Sequence, residues 1–186
     1  MVTLRPALPE DAEALAAIYA PHVLAGTVSF ETVAPDAATM RERMAASAGL
    51  YPWIVAADAG ADAGDVLGYA YATRFSERAA YRWAVETTIY IAAGAQGRGL
   101  GQTLYAALLA TLRAQGFTQA MARIALPNPP SIALHRTLGF RHAGDMRAIG
   151  WKAGAWIDVG YWQCALAAPE VPDEPRRFAD VSLVAP

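Results

Sequence analysis

One segment constrains the fold of this chain more than any other: a glycine-rich turn between an apolar, β-branched run and a helix-forming run. The turn spans residues 96–101 (QGRGLG), after the run 87–91 (TTIYI) and before the run 102–112 (QTLYAALLATL). The first N–H groups of a helix have no partner inside the helix, and the helix dipole adds partial positive charge there. Glycines in the turn let a phosphate approach the main chain without Cβ atoms in the way. The segment therefore predicts a strand, a turn and a helix that together bind a phosphorylated cofactor.

Two common phosphate-binding patterns do not match this turn. Gly94 and Gly99 have the spacing of a P-loop, but Leu100 stands where the P-loop requires its lysine. The Rossmann fingerprint fails because the sixth position counted from Gly97 is Gln102, where a glycine is needed. The remaining pattern, Q-x-x-G-x-G, resembles the loop that binds the pyrophosphate of coenzyme A in the GNAT acetyltransferase superfamily. For the loop alone, a turn that only joins two elements is the alternative.

Length and composition favour one globular domain. The chain has 186 residues, of which 55% are hydrophobic and 17% charged. A net charge of −2 without a basic cluster argues against a nucleic-acid surface. The N-terminus does not resemble a signal peptide, and no apolar run approaches the about 18 residues that a membrane span needs. We therefore expect a soluble, cytoplasmic protein.

The residues that most often bind metals are few and scattered. The single cysteine, Cys164, excludes an internal disulfide and lies in an apolar run typical of a buried side chain. The histidines His22, His135 and His142 lack metal-ligand spacing. We therefore expect no metal site.

Periodicity along the chain predicts an α/β (α+β) fold, with a mixed, mostly antiparallel sheet of about six to seven strands and helices on both faces. We expect a helix that opens at Pro9 and ends at Pro21, and another from Asp36 to Gly49. The other predicted elements are a hairpin over 53–73, a central strand over 83–91, a helix that Gly116 stops, a strand over 120–125, a short helix over 128–138, and strands over 140–147 and 157–166. Residues 1–168 would form the domain, and residues 169–186 a loosely ordered, Pro-containing tail.

Glu86 is the only charged residue in the predicted central strand. An unpaired buried carboxylate is costly, and partial burial would raise its pKa towards neutrality. A general base for an ammonium substrate works best in that pKa range. The alternative is a structural ion pair with Arg78, Arg82 or Arg123.

His135 and an arginine cluster are further candidates. His135 flanks the apolar stripe of the short helix, so it is either structural or a second base, a substrate contact or a proton donor to a leaving thiolate. Arg74, Arg78 and Arg82 lie in the loop before the central strand. They are either solvated or positioned to hold a carboxylate or a tetrahedral oxyanion with the planar guanidinium fork.

Together these segments resemble the phosphinothricin N-acetyltransferase branch of the GNAT superfamily, over residues 4–166. The most specific segments are 27–30 (TVSF), 51–53 (YPW), 81–90, 115–117 (QGF), 126–128 (LPN) with 130–131 (PS), 134–135 (LH) with 138–140 (LGF), and 156–163. The resemblance implies the GNAT fold with a splayed central strand pair, acetyl-CoA as cosubstrate and a homodimer. It also implies N-acetylation of a small amino acid analogue such as phosphinothricin, methionine sulfoximine or methionine sulfone, and with it herbicide resistance.

The resemblance assigns roles to individual residues. It makes Glu86 the general base that deprotonates the amine before direct attack on the thioester, and His135 an assisting catalytic residue. Tyr90 is a possible proton donor. The implied cofactor-binding residues are Ile89, Tyr90, Ile91, Gln96, Gly97, Arg98, Gly99, Leu100, Gly101, Gln102, Asn128 and Ser131. The implied acceptor-binding residues are Phe30, Phe75, Arg78, Tyr81 and Arg82.

The identity of the acceptor stays open at this stage. Related sequences carry a lysine where this chain has Ser76, and an acid or a histidine where it has Arg82. A peptide α-amine or a polyamine is a second possibility, although the arginines around Tyr81 disfavour a polyamine. A non-catalytic acyl-CoA-binding module is a third.

Overall fold

The structure is a computed structural model that describes residues 2–47, 49–58 and 65–184. Within these ranges, the strands are β1 (Val2–Pro6), β2 (Trp53–Asp58), β3 (Val66–Arg74), β4 (Ala84–Ile91), β5 (Gln119–Ala125), β6 (Arg141–Lys152) and β7 (Ala155–Ala165). They form one seven-stranded sheet in the order β1-β2-β3-β4-β5-β7-β6. β4 and β5 pair in parallel, whereas the other neighbours pair antiparallel. The predicted mixed, mostly antiparallel sheet is confirmed; residues 59–64 of the predicted hairpin loop lie outside the described residues.

The helices are α1 (Ala12–Leu24), α2 (Ala37–Ala46), α3 (Leu100–Gln115), α4 (Pro129–Thr137) and the short α5 (Phe178–Val181). They cover both faces of the sheet, because successive strand residues point to opposite sides. Trp53 and Val55 of β2 pack in one core with Leu15 of α1. Ile54 between them packs in a second core with Leu108 of α3.

The two central strands separate part of the way along their length. The parallel register of β4 and β5 covers Ala84 with Gln119 and ends at Glu86 with Met121. β4 then continues along β3 to Ile91, while β5 follows β7. The splayed central pair is therefore confirmed, and it opens a cleft that begins beside Glu86.

Pro21 does not end the first helix, contrary to the sequence prediction. α1 continues to Leu24, and the N–H of Ala25 donates to the carbonyl of Pro21 at 3.0 Å. A proline inside a helix removes one hydrogen bond and disturbs the preceding turn. Burial of Tyr19 and Val23 on either side of Pro21 outweighs that cost, since packing supplies most helix stability in proteins.

Other boundaries also differ from the sequence prediction. α3 begins at Leu100, ahead of the predicted run at 102, because Gly99 adopts the left-handed cap conformation and Leu100 is buried. β6 and β7 form a longer hairpin than predicted. Its turn uses Ala153 and Gly154, with φ of 52° and 76°. Two successive positive φ values match the twist of a tight antiparallel hairpin, so pairing extends to the turn.

The C-terminal tail is held against the domain, so the prediction of a loosely ordered tail is wrong. Fully buried Gln115 donates from Nε2 to the carbonyls of Leu50 at 2.7 Å and of Arg176 at 2.8 Å. The N–H of Arg176 donates to the carbonyl of Gln115 at 2.7 Å, and Phe178 and Leu183 pack against the core. The tail lacks apolar periodicity, and its anchors are contacts with residues that are distant in sequence. No local pattern therefore predicted that the tail docks. The domain boundary at residue 168 stays a prediction.

Candidate active site

A cavity of about 450 Å³ lies where β4 and β5 separate. Its floor is built by side chains that alternate onto the same face of four strands: Tyr71 of β3, Glu86, Thr88 and Tyr90 of β4, Arg123 and Ala125 of β5, and Val159 and Tyr161 of β7. Its walls come from α1, the segment before α2, and β6: Tyr19, Val28, Ser29, Phe30, Glu31 and Ile149. The cavity is mostly aromatic and aliphatic, with a few charged groups.

Glu86 and Arg123 form an ion pair in the floor of this cavity. Arg123 donates from Nε to Oε1 of Glu86 at 2.6 Å, and the two side chains are 55% and 19% exposed. This is one of the ion pairs that the sequence left as an alternative for Glu86. Burial works against the charge of Arg123, but the hydrogen bond and the charge of Glu86 raise the pKa of its guanidinium above the usual value.

The upper wall is held by a network that the sequence did not reveal. Tyr19 donates to Glu31 at 2.9 Å, and its hydroxyl lies 2.6 Å from that of Ser29. Arg43 donates to both carboxylate oxygens of Glu31 at 2.8 Å. Lys152 donates to the carbonyls of Val23 at 2.7 Å and Ser29 at 2.6 Å. These bonds fix the segment between α1 and α2, which brings Phe30 over Gly150 of β6.

A smaller cavity of about 270 Å³ lies beneath α2 and shares Tyr19 and Tyr71 with the larger one. Its lining includes Arg43, which is already paired with Glu31, and Trp53, whose buried Nε1 has no hydrogen-bond partner among the residues that the structure describes. Its lining contains no carboxylate, so it supplies no proton acceptor.

The glycine-rich turn has the conformation that an anion site requires. Gly97 and Gly99 have φ of 74° and 76°, and a Cβ at either position would meet nothing within 4 Å. The turn is exposed from Gln96 to Gly99 and leads into the N-terminus of α3. Gln96 donates from Nε2 to the carbonyl of Ile91 at 3.2 Å and so ties the turn to β4. Open space and the unpaired N–H groups of a helix start fit a diphosphate.

The other predicted cofactor residues lie on β4, in and directly after this turn, and at the start of α4. A Cβ on Gly101 would lie 3.7 Å from Ile91 and 3.9 Å from Ile89, which places both isoleucines beside the start of α3. Arg98 and Gln102 are exposed and Leu100 is buried. Asn128 caps α4 by accepting from the N–H of Ser131 at 3.2 Å. The cofactor roles of these residues stay predictions.

His135 does not line the cavity at the strand separation. It is buried on α4, with Nδ1 2.7 Å from the carbonyl of Ser131 and Nε2 3.1 Å from the hydroxyl of Tyr105. Tyr105 contacts Thr87 at 2.8 Å, and Thr87 donates to the carbonyl of Met121 at 3.0 Å. Burial lowers the pKa of the imidazole, and its bond to Ser131 opposes this only in part. His135 therefore reaches the strand separation through Tyr105 and Thr87, on the face of β4 opposite Glu86.

Most of the predicted acceptor residues lie outside the lining of the cavity. Phe30 lines it, but Phe75, Arg78, Tyr81 and Arg82 do not. The rings of Phe75 and Tyr81 meet edge to face with centroids 5.7 Å apart. Their role in acceptor binding stays a prediction.

Arg82 lies instead between the tail and a neighbouring indole. Its guanidinium donates to Glu174 at 2.8 Å and lies 3.8 Å from the ring centre of Trp83. The carboxylate that it binds comes from the tail, which the sequence prediction treated as loosely ordered.

The described parts of the chain contain neither a cluster of metal-binding side chains nor a helix that could span a membrane. No group of three His, Cys, Asp or Glu side chains there is placed to hold a metal ion. None of the helices there is both long and apolar enough to cross a membrane.

Comparison with known proteins agrees with this fold. Residues 4–160 match the family model described as an acetyltransferase (GNAT) domain. The chain therefore belongs to the GNAT acetyltransferase family, and the resemblance found in the sequence is confirmed.

Individual relatives indicate which branch of the GNAT family this chain is most similar to among those compared. The chain is 40% identical over 183 residues to phosphinothricin N-acetyltransferase of Streptomyces viridochromogenes, covering 98% of this chain and 96% of the relative. It is 41% identical over 116 residues to an L-methionine sulfoximine/L-methionine sulfone acetyltransferase of Pseudomonas paraeruginosa, covering 62% and 66%. A crystal structure of a phosphinothricin acetyltransferase from Sinorhizobium meliloti in complex with AcCoA superimposes with a TM-score of 0.87 at 40% identity, covering 94% of this chain and 95% of that one.

Proposed function

We propose that this chain is an acetyl-CoA-dependent N-acetyltransferase that acetylates the amine of a small amino acid analogue of the phosphinothricin, methionine sulfoximine or methionine sulfone type. The observation that carries the proposal is the cavity at the strand separation, with the carboxylate of Glu86 in its floor. Relatives with these activities, at about the same identity, support the substrate class.

The proposed cofactor site runs from the glycine-rich turn along β4 to the strand separation. When bound, acetyl-CoA supplies an activated acetyl thioester. The exposed turn 96–99 and the first turn of α3 would hold the diphosphate. The main chain of β4 from Ile89 to Ile91, together with Asn128 across the cleft, would hold the pantetheine arm.

Glu86 is the proton acceptor in this proposal. Its carboxylate opens into the cavity, so it can accept a proton from the ammonium of an acceptor there. The free amine is then the nucleophile. Main-chain N–H groups of β4 beyond the parallel register are the donors available to the oxyanion that develops.

Two other groups serve hydrogen bonding and positioning. Tyr90 faces the cavity, and burial raises the pKa of its phenol far above the usual value, so the phenol keeps its proton and can donate a hydrogen bond to the departing thiolate. His135 acts through Tyr105 and Thr87, which hold the start of the strand separation. His135 is therefore a positioning residue in this account.

A thiol-release assay with a panel of amines tests the proposed function. The panel contains phosphinothricin, methionine sulfoximine, methionine sulfone, a peptide with a free N-terminus and spermidine. We expect thiol release with at least one of the three amino acids and little with the peptide or spermidine. Thiol release with the peptide or spermidine alone would contradict the substrate class. Calorimetric binding of acetyl-CoA without release for any amine would favour a binding module.

We also propose that the enzyme is a homodimer that acts in the cytoplasm, where acetylation of phosphinothricin would give herbicide resistance. The hairpin of β6 and β7 exposes Trp151 at 60% and Trp156 at 62%, in contact with each other and close in sequence to exposed Met146 and Ile149. Exposed apolar patches of this kind often mark protein interfaces. Sedimentation equilibrium should give the mass of two chains, and a monomer at micromolar concentration would contradict the homodimer.

A further inference from the structure

Arg123 occupies a position in the acceptor cavity that its ion pair with Glu86 does not fully explain. Its Nε bonds to Glu86, but the side chain is 55% exposed and lines the same cavity. A guanidinium carries several donors in a planar fork, which matches the geometry of a carboxylate. Arg123 therefore has further N–H groups that a ligand in the cavity can engage.

The other charges around the cavity are already balanced. Glu31 in the wall is bound by both terminal nitrogens of Arg43. The remaining polar groups of the floor are a threonine and phenols: Thr88, Tyr71, Tyr90 and Tyr161. Glu86 and Arg123 are thus the negative and positive groups that a ligand in this cavity can engage.

We infer that Arg123 binds the carboxylate of an α-amino acid acceptor while Glu86 receives its ammonium. This inference rests on the proposed function and assigns the residue that recognises the acceptor's carboxylate. The two charges of an α-amino acid are joined by one carbon, and the two protein charges are adjacent at 2.6 Å. The acceptor would replace one ion pair with two of the same kind, so no charge is left unpaired in the partly buried floor.

The same exchange explains how the site would reject other amines. An acceptor without a carboxylate leaves Arg123 bound to Glu86, where the guanidinium competes with the incoming ammonium. A polyamine would place more positive charge beside Arg123, and a peptide N-terminus would offer a neutral carbonyl where the fork needs an anion. Arg123 is therefore a specificity residue in this inference.

Kinetics with matched acceptors test this inference. Methionine sulfone is compared with its carboxamide, which keeps the amine and side chain but lacks the negative charge. For the unmodified enzyme we expect kcat/KM to be about 10–100-fold higher for the acid, as for loss of one charged hydrogen-bond partner. Arg123→Gln should raise KM for the acid by about the same factor and change kcat less, and it should lower KM for the carboxamide because the guanidinium no longer competes for Glu86. Arg123→Lys should retain part of the preference.

Arg41→Gln on the exposed face of α2 is the matched control and should preserve the preference for the acid. Equal selectivity in Arg123→Gln and the unmodified enzyme would overturn the inference. Loss of selectivity in Arg78→Gln instead would also overturn it, because the anion site would then lie in the loop before β4.

Calorimetry separates this inference from the proposed function. If no amine releases thiol, the proposed function fails. Binding of methionine sulfone that is weakened about 10–100-fold by Arg123→Gln would still support the carboxylate site. Equal binding to both proteins would contradict it.

Discussion

The carboxylate of Glu86 and the guanidinium of Arg123 lie 2.6 Å apart across the point where β4 and β5 separate. The parallel register of the two strands ends at Glu86 and Met121, and Arg123 follows Met121 on the same face of β5. The strand separation therefore also places two opposite charges in the floor of the cavity of about 450 Å³.

The left-handed conformation of Gly99 gives the first prediction. Gly99→Ala should destabilise the fold by about 1–2 kcal/mol, because an L-residue is strained at φ of 76° although the surrounding space is open. It should also raise KM for acetyl-CoA. Gly94→Ala is the control, since Gly94 also has open space but no positive φ. Urea unfolding should show a change within about 0.5 kcal/mol for the control. Equal losses of unfolding free energy in Gly99→Ala and Gly94→Ala would contradict backbone strain at residue 99.

The tail anchor gives the second prediction. Gln115→Met should lower the free energy of unfolding by about 2–3 kcal/mol, because the carbonyls of Leu50 and Arg176 lose their donor in a buried place. Gln163→Met is the control, since the exposed side chain of Gln163 donates to the side chain of Gln119, and the loss of this bond should cost less than about 0.5 kcal/mol. Unchanged stability of Gln115→Met in urea would contradict the observed docking of the tail.

These two positions show what the sequence could and could not reveal. The glycine turn is a local feature, so its strand, turn and helix followed from residue type and order. Gln115 gave no such signal, because its partners lie 65 and 61 residues away. The same holds for Arg123, which the sequence offered only as one of several partners for Glu86. Its place in the cavity depends on the order of the strands in the sheet, which no local pattern specifies.

Lys152 gives the third prediction. Its ammonium donates to the carbonyls of Val23 and Ser29 and so holds the wall that carries Phe30. Lys152→Met should raise KM for the acceptor by about tenfold, the loss expected for charged hydrogen bonds, while KM for acetyl-CoA stays unchanged. Lys152→Arg should show a smaller rise because it keeps the charge. Initial-rate kinetics with each substrate varied in turn would check this, and equal changes in both KM values would argue against a local effect on the wall.

Buried His135 gives the fourth prediction, which concerns pH. Burial lowers the pKa of its imidazole in the folded state below its value in the unfolded chain. The unfolded chain therefore binds a proton more readily, so the stabilising contribution is present above the unfolded pKa of about 6.5 and is lost as pH falls. Between pH 7 and pH 5 the free energy of unfolding should fall more for the unmodified protein than for the His135→Gln variant. Parallel stability curves for the two proteins would contradict a neutral, buried imidazole.

The role of Glu86 as the proton acceptor is the central claim, and the turnover number of Glu86→Gln tests it most directly. The measurement uses saturating acetyl-CoA and saturating acceptor near neutral pH, with Glu42→Gln on the exposed surface of α2 as the matched control. Unfolding curves of both variants establish that each is folded. We expect kcat to fall by about 10²–10⁴-fold for Glu86→Gln and to stay at the level of the unmodified enzyme for Glu42→Gln. Undiminished kcat in folded Glu86→Gln would contradict the account.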